Sequence, residues 1–591
     1  MNAANTGEEL KKGFELHRTG DLAEAGRIYK TILERDPDNV DALNLLGVIM
    51  QAAGNPQAAV GLIQRATELA PDYFAAHVNL GNALQAAGRA EEAVEIFQVA
   101  LKMNPLMPEV VSNLASALND LGRHVEAAAI CEDALNTKPD LAAARANLAN
   151  AMLGLGKHEK AVENYRLALE GDPGNANAWF SMGNALFELG QGEEALNHYQ
   201  EAVRLSPESA EKHYNLANAA LALDRHEDAV ESFERAIRIT PEYLDAHVNL
   251  GSALQSLGRM EDAIARFRRA LELAPPDQPN ADLHWNLALA LLQNGDYEEG
   301  WREYEWRWNN PDFTTPRKDL EQPLWDGGDV HGKTILLHTE QGFGDALQFV
   351  RYAPLVAARE ARVVIECRAG LTRLFKEIEG VADAIDAGDP LPPFDVHAPL
   401  MSLPGIFGTT VETVPADIPY LAVPAGAAAD PRIAEGDGLA VGFAWAGSPT
   451  HREDRKRSVE PGRFEPLFSI PGVRFFSLQV GGAGPGFETL PAAGNVIDLG
   501  AGLGDFADTA AAIAALDLVI AVDTAVVHLA GALGRPAWVL AAFASSYLWP
   551  AGRDDTPWYP TLKLFRQRRA GDWDSVFEAV REALAALATE A

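Results

Sequence analysis

The chain has 591 residues, of which 47% are hydrophobic and 23% are charged, an ordinary composition for a globular protein. This composition excludes collagen-like, disordered and disulfide-scaffold proteins. The 84 acidic residues against 49 basic residues give a formal charge of -35, which argues against a general binder of nucleic acid or anionic membranes. Contacts to phosphate need cations, so any phosphate ligand requires a local basic cluster.

Cysteine usage and hydropathy indicate the compartment. Cys131 and Cys367 lie far apart in the sequence, so neither a disulfide framework nor a cysteine-ligated zinc site is expected. The segment Met1–Lys12 has no apolar core, and no stretch approaches the roughly 18 consecutive apolar residues of a membrane-spanning helix. The sequence therefore predicts a cytoplasmic protein that does not contact a membrane.

The N-terminal half repeats with a fixed period of 34 residues. A small residue marks seven successive units, at Gly47, Gly81, Ala115, Ala149, Gly183, Ala217 and Gly251. Prolines recur at the same spacing, at Pro37, Pro71, Pro105, Pro139, Pro173, Pro207, Pro241 and Pro275. This pattern resembles the tetratricopeptide repeat, a pair of antiparallel helices in which small residues allow close packing and proline ends the second helix. Eight units fit residues 6 to 275, and a ninth is shifted by three residues.

Four aromatic residues follow the ninth unit, at Trp301, Tyr304, Trp306 and Trp308. A terminal repeat must cover its apolar face, so we interpret these side chains as the joint to the next domain. A carbohydrate-binding platform is the alternative, because indole rings also stack on sugars.

An asparagine recurs two residues before the small residue of most units. These asparagines are Asn79, Asn113, Asn147, Asn215 and Asn249, with Ser181 in the sixth unit and Asn286 in the ninth. Asparagine is a poor helix former, and its carboxamide can both donate to and accept from an extended peptide backbone. The pattern predicts a ladder of amides on the concave face, similar to the repeat domain of protein O-GlcNAc transferases. Hydrogen bonds between neighbouring helices are the alternative.

After Pro323 the pattern changes to short apolar strands alternating with helices, which predicts an α/β region with parallel sheets. Predicted strands of a first subdomain are 334–338 and 362–367, with a helix over 345–358 between them. An irregular end is expected over 391–404 and 413–425. Predicted strands of a second subdomain are 439–445, 474–479, 496–499, 516–522 and 538–543, and a last helix is expected over 573–587.

A phosphate-loop motif is matched only formally. Residues 327–334 fit G-x-x-x-x-G-K-T, but they precede a predicted strand instead of following one and opening a helix. An ATPase is therefore not expected.

Two strand-to-helix turns carry residues suited to catalysis. The turn over 340–348 contains Gly342 and Gly344, which allow a substrate to approach the backbone, and places Asp345 at the helix start. In the turn over 522–536, Thr524 and the free N–H groups of the helix start form an anion site, with His528 one turn further on. The alternatives are an N-cap role for Asp345 and a capped structural helix with a packed histidine.

A basic loop after strand 439–445 supplies the cations that a phosphate needs. It contains His451, Arg455, Lys456 and Arg457, and a solvated surface is the alternative for such a charge run. Arg566, Arg568 and Arg569 form a second basic group that we interpret as surface.

The segments GFGDALQFVRYAPL, DVHAPLMSLPGIFGTT, HREDRKRS, VDTAVVHLAGALGRPAWVL and DTPWYPTLKLFRQ together resemble the heptosyltransferase-like GT-B domain of bacterial tetratricopeptide-repeat glycosyltransferases. The resemblance covers about residues 333 to 570. It implies that Asp345 is the general base and that Asp523, Thr524 and His528 hold the donor phosphate. The donor site that we predict also includes Gly342, Gly344, Gln479 and the basic loop.

The resulting fold class is an α-solenoid followed by an α/β GT-B fold with two Rossmann-like subdomains. The predicted domains are a repeat superhelix (1–310), a linker (311–332), an acceptor-side subdomain (333–425), a nucleotide-sugar subdomain (426–570) and a C-terminal helix (571–591).

The predicted function is protein O-glycosylation on Ser or Thr, with a nucleotide sugar as donor substrate and no cofactor. Flagellin is the leading acceptor and a CMP-linked nonulosonic acid is one possible donor, as the resemblance implies. Inversion at the anomeric carbon rests on the resemblance alone. Independence of metal ions rests on the resemblance and on the D-x-D motif Asp572–Asp574, which opens the last predicted helix away from the predicted cleft. An enzyme similar to O-GlcNAc transferase that uses a UDP-sugar, and a scaffold with a degenerate GT-B domain, are the alternatives.

Overall fold

The computed structural model describes residues 3–105, 107–311, 313, 315–448, 454–481, 486–544 and 546–590. The chain divides into two compact units, Met1–Tyr243 and Leu244–Ala591. The first unit holds paired helices. The second unit holds the last repeat helices and two parallel sheets.

The helices of the first unit follow the 34-residue period. They are α1 (Ala3–Arg18), α2 (Leu22–Arg35), α3 (Val40–Ala52), α4 (Pro56–Leu69), α5 (Phe74–Ala86), α6 (Ala90–Met103), α7 (Pro108–Asp120), α8 (His124–Thr137), α9 (Ala142–Gly154), α10 (His158–Gly171), α11 (Ala176–Glu188), α12 (Gly192–Leu205), α13 (Ala210–Ala222) and α14 (His226–Ile239).

Small residues occur where the two helices of a repeat touch. A Cβ atom on Gly81 would lie 2.4 Å from Cε1 of Phe97, and one on Gly183 would lie 2.8 Å from Cδ1 of Tyr199. Both rings are buried, and their positions recur in the sequence. The helix pairs predicted from the period are therefore confirmed, together with the reason for the glycine.

The second unit begins with the last two repeats. Their helices are α15 (Leu244–Ser256), α16 (Met260–Leu273), α17 (Ala281–Asn294) and α18 (Tyr297–Tyr304), followed by a 3-10 turn over Glu305–Asn309. Trp301 is 2% exposed and packs edge-on against Phe349 and Trp558 of the α/β region. Trp306 stacks on His284, with ring centroids 4.1 Å apart. Trp301 therefore forms part of the joint that we predicted and is not a platform for sugars.

The first sheet has four parallel strands in the order β3-β2-β1-β4. They are β1 (Thr334–His338), β2 (Arg362–Cys367), β3 (Val381–Asp386) and β4 (Val396–Pro399). The helices between and after them are α19 (Phe343–Phe349), α20 (Ala353–Ala357), α21 (Thr372–Phe375) and α22 (Leu403–Ile406).

The second sheet has six parallel strands in the order β10-β9-β8-β5-β6-β7. They are β5 (Leu439–Ala444), β6 (Val473–Ser477), β7 (Val496–Asp498), β8 (Leu518–Val522), β9 (Ala537–Ala541) and β10 (Leu562–Arg566). Its helices are α23 (Asp454–Arg457), α24 (Phe506–Ala515), α25 (Ala525–Ala532) and α26 (Trp573–Glu590). Counted from its first strand, the order is 3-2-1-4-5-6, the doubly wound arrangement that binds ligands at the carboxyl ends of its strands.

The structure corrects several predicted elements. The helix expected over 345–358 begins earlier, at Phe343, and is broken by a 3-10 turn over Val350–Tyr352 before α20. The segment expected to be irregular over 391–404 contains β4, a short strand in which three of the four residues are buried. Strands β3 and β10 were not predicted, because charged or exposed residues interrupt their apolar pattern. The residues that mimic a phosphate loop precede β1, as expected.

None of the helices in the described part of the chain combines the length and apolar character that crossing a lipid bilayer requires.

Candidate functional site

Helices α19 and α25 pack against each other at their N-terminal ends, which joins the two sheets of the second unit. A Cβ atom on Gly344 would lie 3.0 Å from Cδ2 of His528 and 3.9 Å from Cα of Ala525. Each helix follows a central strand of its sheet, so both start at a carboxyl edge. The two turns that the sequence singled out are therefore adjacent in space.

Asp345 lies in the first turn of α19. Its Oδ2 accepts a hydrogen bond of 3.1 Å from the N–H of Gly342, so the carboxylate also closes the helix start. Burial raises the pKa of Tyr304 and of Tyr547 well above the ordinary value, and the charge of Asp345 adds to both shifts. Asp345 therefore caps the start of α19 and lies near enough to these two buried phenols for its charge to affect them.

Asp523 and His528 lie close together beside this contact. Nε2 of His528 lies 3.7 Å from Oδ1 of Asp523, and its Nδ1 lies 3.0 Å from the hydroxyl of Tyr559. Burial alone would raise the pKa of Asp523, but the neighbouring His528 and the charge of Arg457 outweigh this effect and lower that pKa. An ionised Asp523 can hold the imidazole in place.

Thr524 is the N-cap of α25, and its hydroxyl accepts a hydrogen bond of 3.4 Å from the N–H of Val526. It is 9% exposed. A long cap bond of this kind exchanges readily for a bond to a bound anion, since the positive end of the helix dipole favours one.

The residues of the basic loop differ in how close they lie to the candidate site. His451 lies outside the described residues, and Arg455 and Lys456 are exposed on α23. Arg457 is half-buried, with its Nε 3.5 Å from Oδ1 of Asp454, and its charge reaches Asp523. The side-chain oxygen of Gln479 is already engaged, because it accepts hydrogen bonds from the N–H groups of Trp445 and Ala446 at 3.2 and 3.1 Å.

Sequence reasoning missed a buried ion pair next to the turn. Nε of Arg307 donates to Oε1 of Glu340 at 2.9 Å, and both side chains are fully buried. The second oxygen of Glu340 accepts the N–H of Met401, and Arg307 also donates to Ser402 at 2.7 Å. Burial raises the pKa of Glu340, against the opposing effect of Arg307. Charged residues flanked by tryptophans and glycines were the only signal.

Sequence reasoning also missed Arg351, because its hydrogen-bond partners are remote in the sequence. It is 3% exposed and donates to the carbonyls of Trp558 at 2.7 Å and Pro415 at 3.1 Å, and to the hydroxyl of Tyr420 at 3.0 Å. Its guanidinium also stacks on Tyr559, which bonds to His528. Arg351 therefore fastens the first sheet to the loop that supports His528.

The recurrent asparagines lie on the first helices of their repeats and are half-buried. Asn79 donates to Oδ1 of Asn44, Asn113 to Oδ1 of Asn82 and Asn147 to the carbonyl of Ser112, at 2.8 to 2.9 Å. Each of these three side chains therefore donates one hydrogen bond to a neighbouring helix, which is the contact that the alternative to a peptide ladder predicts. Asn215 donates to the Glu211 carbonyl of its own helix, and Asn249 lies on α15 in the second unit.

His338 and His397 form a buried pair in the first sheet, with Nε2 of one 3.2 Å from Nδ1 of the other. Burial, together with the charges of Lys318 and His397, lowers the pKa of His338 to about 3. The imidazole of His338 is therefore neutral at physiological pH.

This shift predicts loss of stability in acid. Above the unfolded-state pKa of about 6.5, neither state binds a proton at His338, and below it only the unfolded state does. The free energy of unfolding should fall by about 2 kcal/mol between pH 7 and pH 5 from this group. In urea unfolding, His338→Asn should flatten the pH dependence, while His331→Asn, at an exposed position, should not. Parallel pH profiles for the wild type and His338→Asn would contradict the assignment.

The contact at Gly344 predicts a steric effect. In Gly344→Val the added atoms would collide with His528, and overpacking of this kind costs about 1–3 kcal/mol. We expect a lower melting temperature than that of the wild type. Gly502→Val is the control, because a Cβ atom there meets no atom of a described residue within 4 Å. Equal effects of the two substitutions would show that the contact has no special role.

Two tetratricopeptide-repeat family models match the chain, one at residues 16–84 and the other at 78–142, 146–210, 180–243, 214–278 and 248–304. The N-terminal half of the chain therefore consists of tetratricopeptide repeats. Such repeats support binding of a partner protein. Protein FlbA of Caulobacter vibrioides is 30% identical over 344 residues, which are 51% of this chain and 55% of FlbA, so the match spans about half of that relative.

Three solved structures are similar to parts of the chain. The APC/C hetero-tetramer Cut9-Hcn1 is 18% identical, with a TM-score of 0.37 over 49% of this chain and 57% of that one. A tetratricopeptide repeat protein from Parabacteroides merdae is 18% identical, with a TM-score of 0.37 over 43% and 100%. TTC0263 from Thermus thermophilus is 26% identical, with a TM-score of 0.27 over 30% and 97%.

Proposed function

We propose that this chain is a protein O-glycosyltransferase that moves a sugar from a nucleotide-sugar donor to Ser or Thr of a polypeptide held by the repeats. The observation that carries the proposal is the contact of α19 with α25, which brings Asp345 and the Asp523–His528 pair to adjoining helix starts. The doubly wound strand orders of both sheets support a GT-B arrangement, in which a cleft between two subdomains holds donor and acceptor together.

The proposed reaction is a single displacement. Asp345 accepts the proton of the acceptor hydroxyl as its oxygen attacks the anomeric carbon. The bond from the anomeric carbon to the phosphate oxygen breaks, and its electron pair leaves with the nucleotide. Thr524, the start of α25 and Arg457 stabilise the charge that develops on the departing phosphate. His528, held by Asp523 and Tyr559, fixes the geometry of this end.

Flagellin is the acceptor that we propose, on the sequence resemblance stated above, with a CMP-linked or UDP-linked sugar as donor. The carboxamide oxygens of Asn79, Asn113 and Asn147 accept no hydrogen bond from a described residue, although their amides are engaged. These oxygens can accept N–H groups of an extended acceptor backbone.

Intact-mass spectrometry of purified flagellin, incubated with this protein and a panel of nucleotide sugars, tests the proposal. We expect a mass increase equal to one or more sugar residues with one donor class. The triple variant Asn79→Ala, Asn113→Ala and Asn147→Ala should raise the KM for flagellin and leave nucleotide binding unchanged. Nucleotide binding without any transfer to protein would favour a scaffold with a degenerate domain.

A further inference from the structure

A cavity of about 380 Å³ lies in the second unit, apart from the contact of α19 with α25. Its walls come from the last repeat helix, from the segment after it and from the first sheet. The proposed transfer reaction assigns no role to this cavity.

The cavity lies where ligands bind in open α/β sheets. His338 is the last residue of β1 and Pro399 is the last residue of β4, and both line it. The chain leaves β1 toward β2 on one side and returns to β4 on the other, so this pair of strands is the point where strand order reverses. Crevices at the carboxyl ends of strands at such a point are the usual ligand sites.

The lining offers several kinds of contact at once. Trp308 contributes an indole ring, Arg317 a cation and Glu298 a carboxylate, and the last two residues are exposed. Leu324, at the rim, is 42% exposed, a large value for an apolar side chain. The His338–His397 pair provides neutral polar atoms in the wall. Apolar contacts, both signs of charge and neutral hydrogen-bonding groups suit a mixed polypeptide segment better than a nucleotide, which would need a cationic lining.

The cavity is also linked to Asp345 through bonded residues. Ser402 lines the cavity and accepts a hydrogen bond from Arg307, whose guanidinium pairs with Glu340. Glu340 begins the turn that ends at Asp345. A segment bound in the cavity would thus rest against the network that fixes this turn.

We propose that this cavity binds the residues that flank the acceptor hydroxyl, as a subsite for polypeptide at the junction of the repeats and the first sheet. The proposal rests on the proposed function. It assigns recognition of the acceptor sequence to Leu324 and Arg317, whereas the amide oxygens of the repeats contact backbone.

Cross-linking tests the position of the polypeptide directly. Both native cysteines are buried, so Leu324→Cys supplies an accessible thiol that can carry a benzophenone maleimide. Leu355→Cys is the matched control, because Leu355 is 37% exposed in the same region but does not line the cavity. With flagellin as the probe, we expect irradiation to cross-link position 324 to peptides next to the modified Ser or Thr, and position 355 to give none.

Kinetics supply the second measurement. Leu324→Ala and Arg317→Ala should each raise the KM for flagellin about 5- to 30-fold, corresponding to about 1–2 kcal/mol, with kcat and nucleotide binding unchanged. Arg362→Ala is the control, at an exposed position at the start of β2.

The outcomes separate this proposal from the function on which it rests. Transfer by the wild type, with KM unchanged in both variants and no cross-link at position 324, overturns the subsite and leaves the glycosyltransferase standing. Capture of flagellin at position 324 without transfer from any donor supports the subsite as a polypeptide site and overturns the proposed reaction.

Discussion

Arg307→Ala is expected to destabilise the second unit by about 3–5 kcal/mol, because it leaves the carboxylate of Glu340 buried without its cation. The Arg307 side chain has no exposed surface and donates to Glu340, Glu305 and Ser402. It joins the segment after the last repeat helix to the turn before Asp345. Chemical unfolding followed by tryptophan fluorescence measures the loss.

A second variant separates the pair from the packing around it. Arg307→Met combined with Glu340→Gln removes both charges, so it should recover much of the stability that Arg307→Ala loses. Arg302→Ala is the control, since Arg302 is exposed on the preceding helix. A loss below about 1 kcal/mol for Arg307→Ala would show that the pair is not a structural joint.

Asp345→Asn is expected to lower kcat for sugar transfer by about 10²- to 10⁴-fold, because an amide cannot accept the proton of the acceptor hydroxyl. Its carbonyl oxygen can still accept the N–H of Gly342, so the start of α19 should remain closed. Nucleotide binding and the melting temperature should therefore change little. Initial rates of transfer to flagellin provide the measurement.

The control for this substitution is another acidic cap. Asp505 accepts the N–H groups of Ala507 and Asp508 at the start of α24 and also pairs with Arg373, so Asp505→Asn tests the loss of a capping charge and its ion pair at another helix start. If Asp345→Asn and Asp505→Asn reduced the rate equally, Asp345 would be a capping residue only.

The repeats were predictable because their constraints are local and recur. The close contact of Gly81 with Phe97 recurs in later units, for example between Gly251 and Phe267. The sequence period therefore follows from a packing contact that each of these units repeats. Strands β1 and β2 were predicted to the residue, since buried parallel strands are continuous apolar runs. Strand β3 was missed because Asp383 and Asp386 interrupt its apolar pattern.

The candidate site was predictable in part. Glycines beside Asp345 marked the first turn, and an Asp-Thr pair at a strand end marked the second. The structure places the two turns next to each other, with Gly344 in contact with His528. Arg307, Glu340 and Arg351 could not be found, because partners such as Ser402 and Trp558 are remote in sequence. The hydrogen bond from the N–H of Trp445 to Gln479 could not be predicted for the same reason.

Calorimetric titration of the purified chain with CMP, UDP, GDP and ADP tests most directly whether the start of α25 is a nucleotide site. We predict that one nucleotide binds, and that Thr524→Ala and Arg457→Ala each weaken it about 10-fold or more through lost contacts to phosphate. Arg463→Ala, at a partly exposed arginine that pairs with Asp574, should bind like the wild type. Binding by none of the nucleotides to the folded protein, or binding unaffected by both substitutions, would contradict the account.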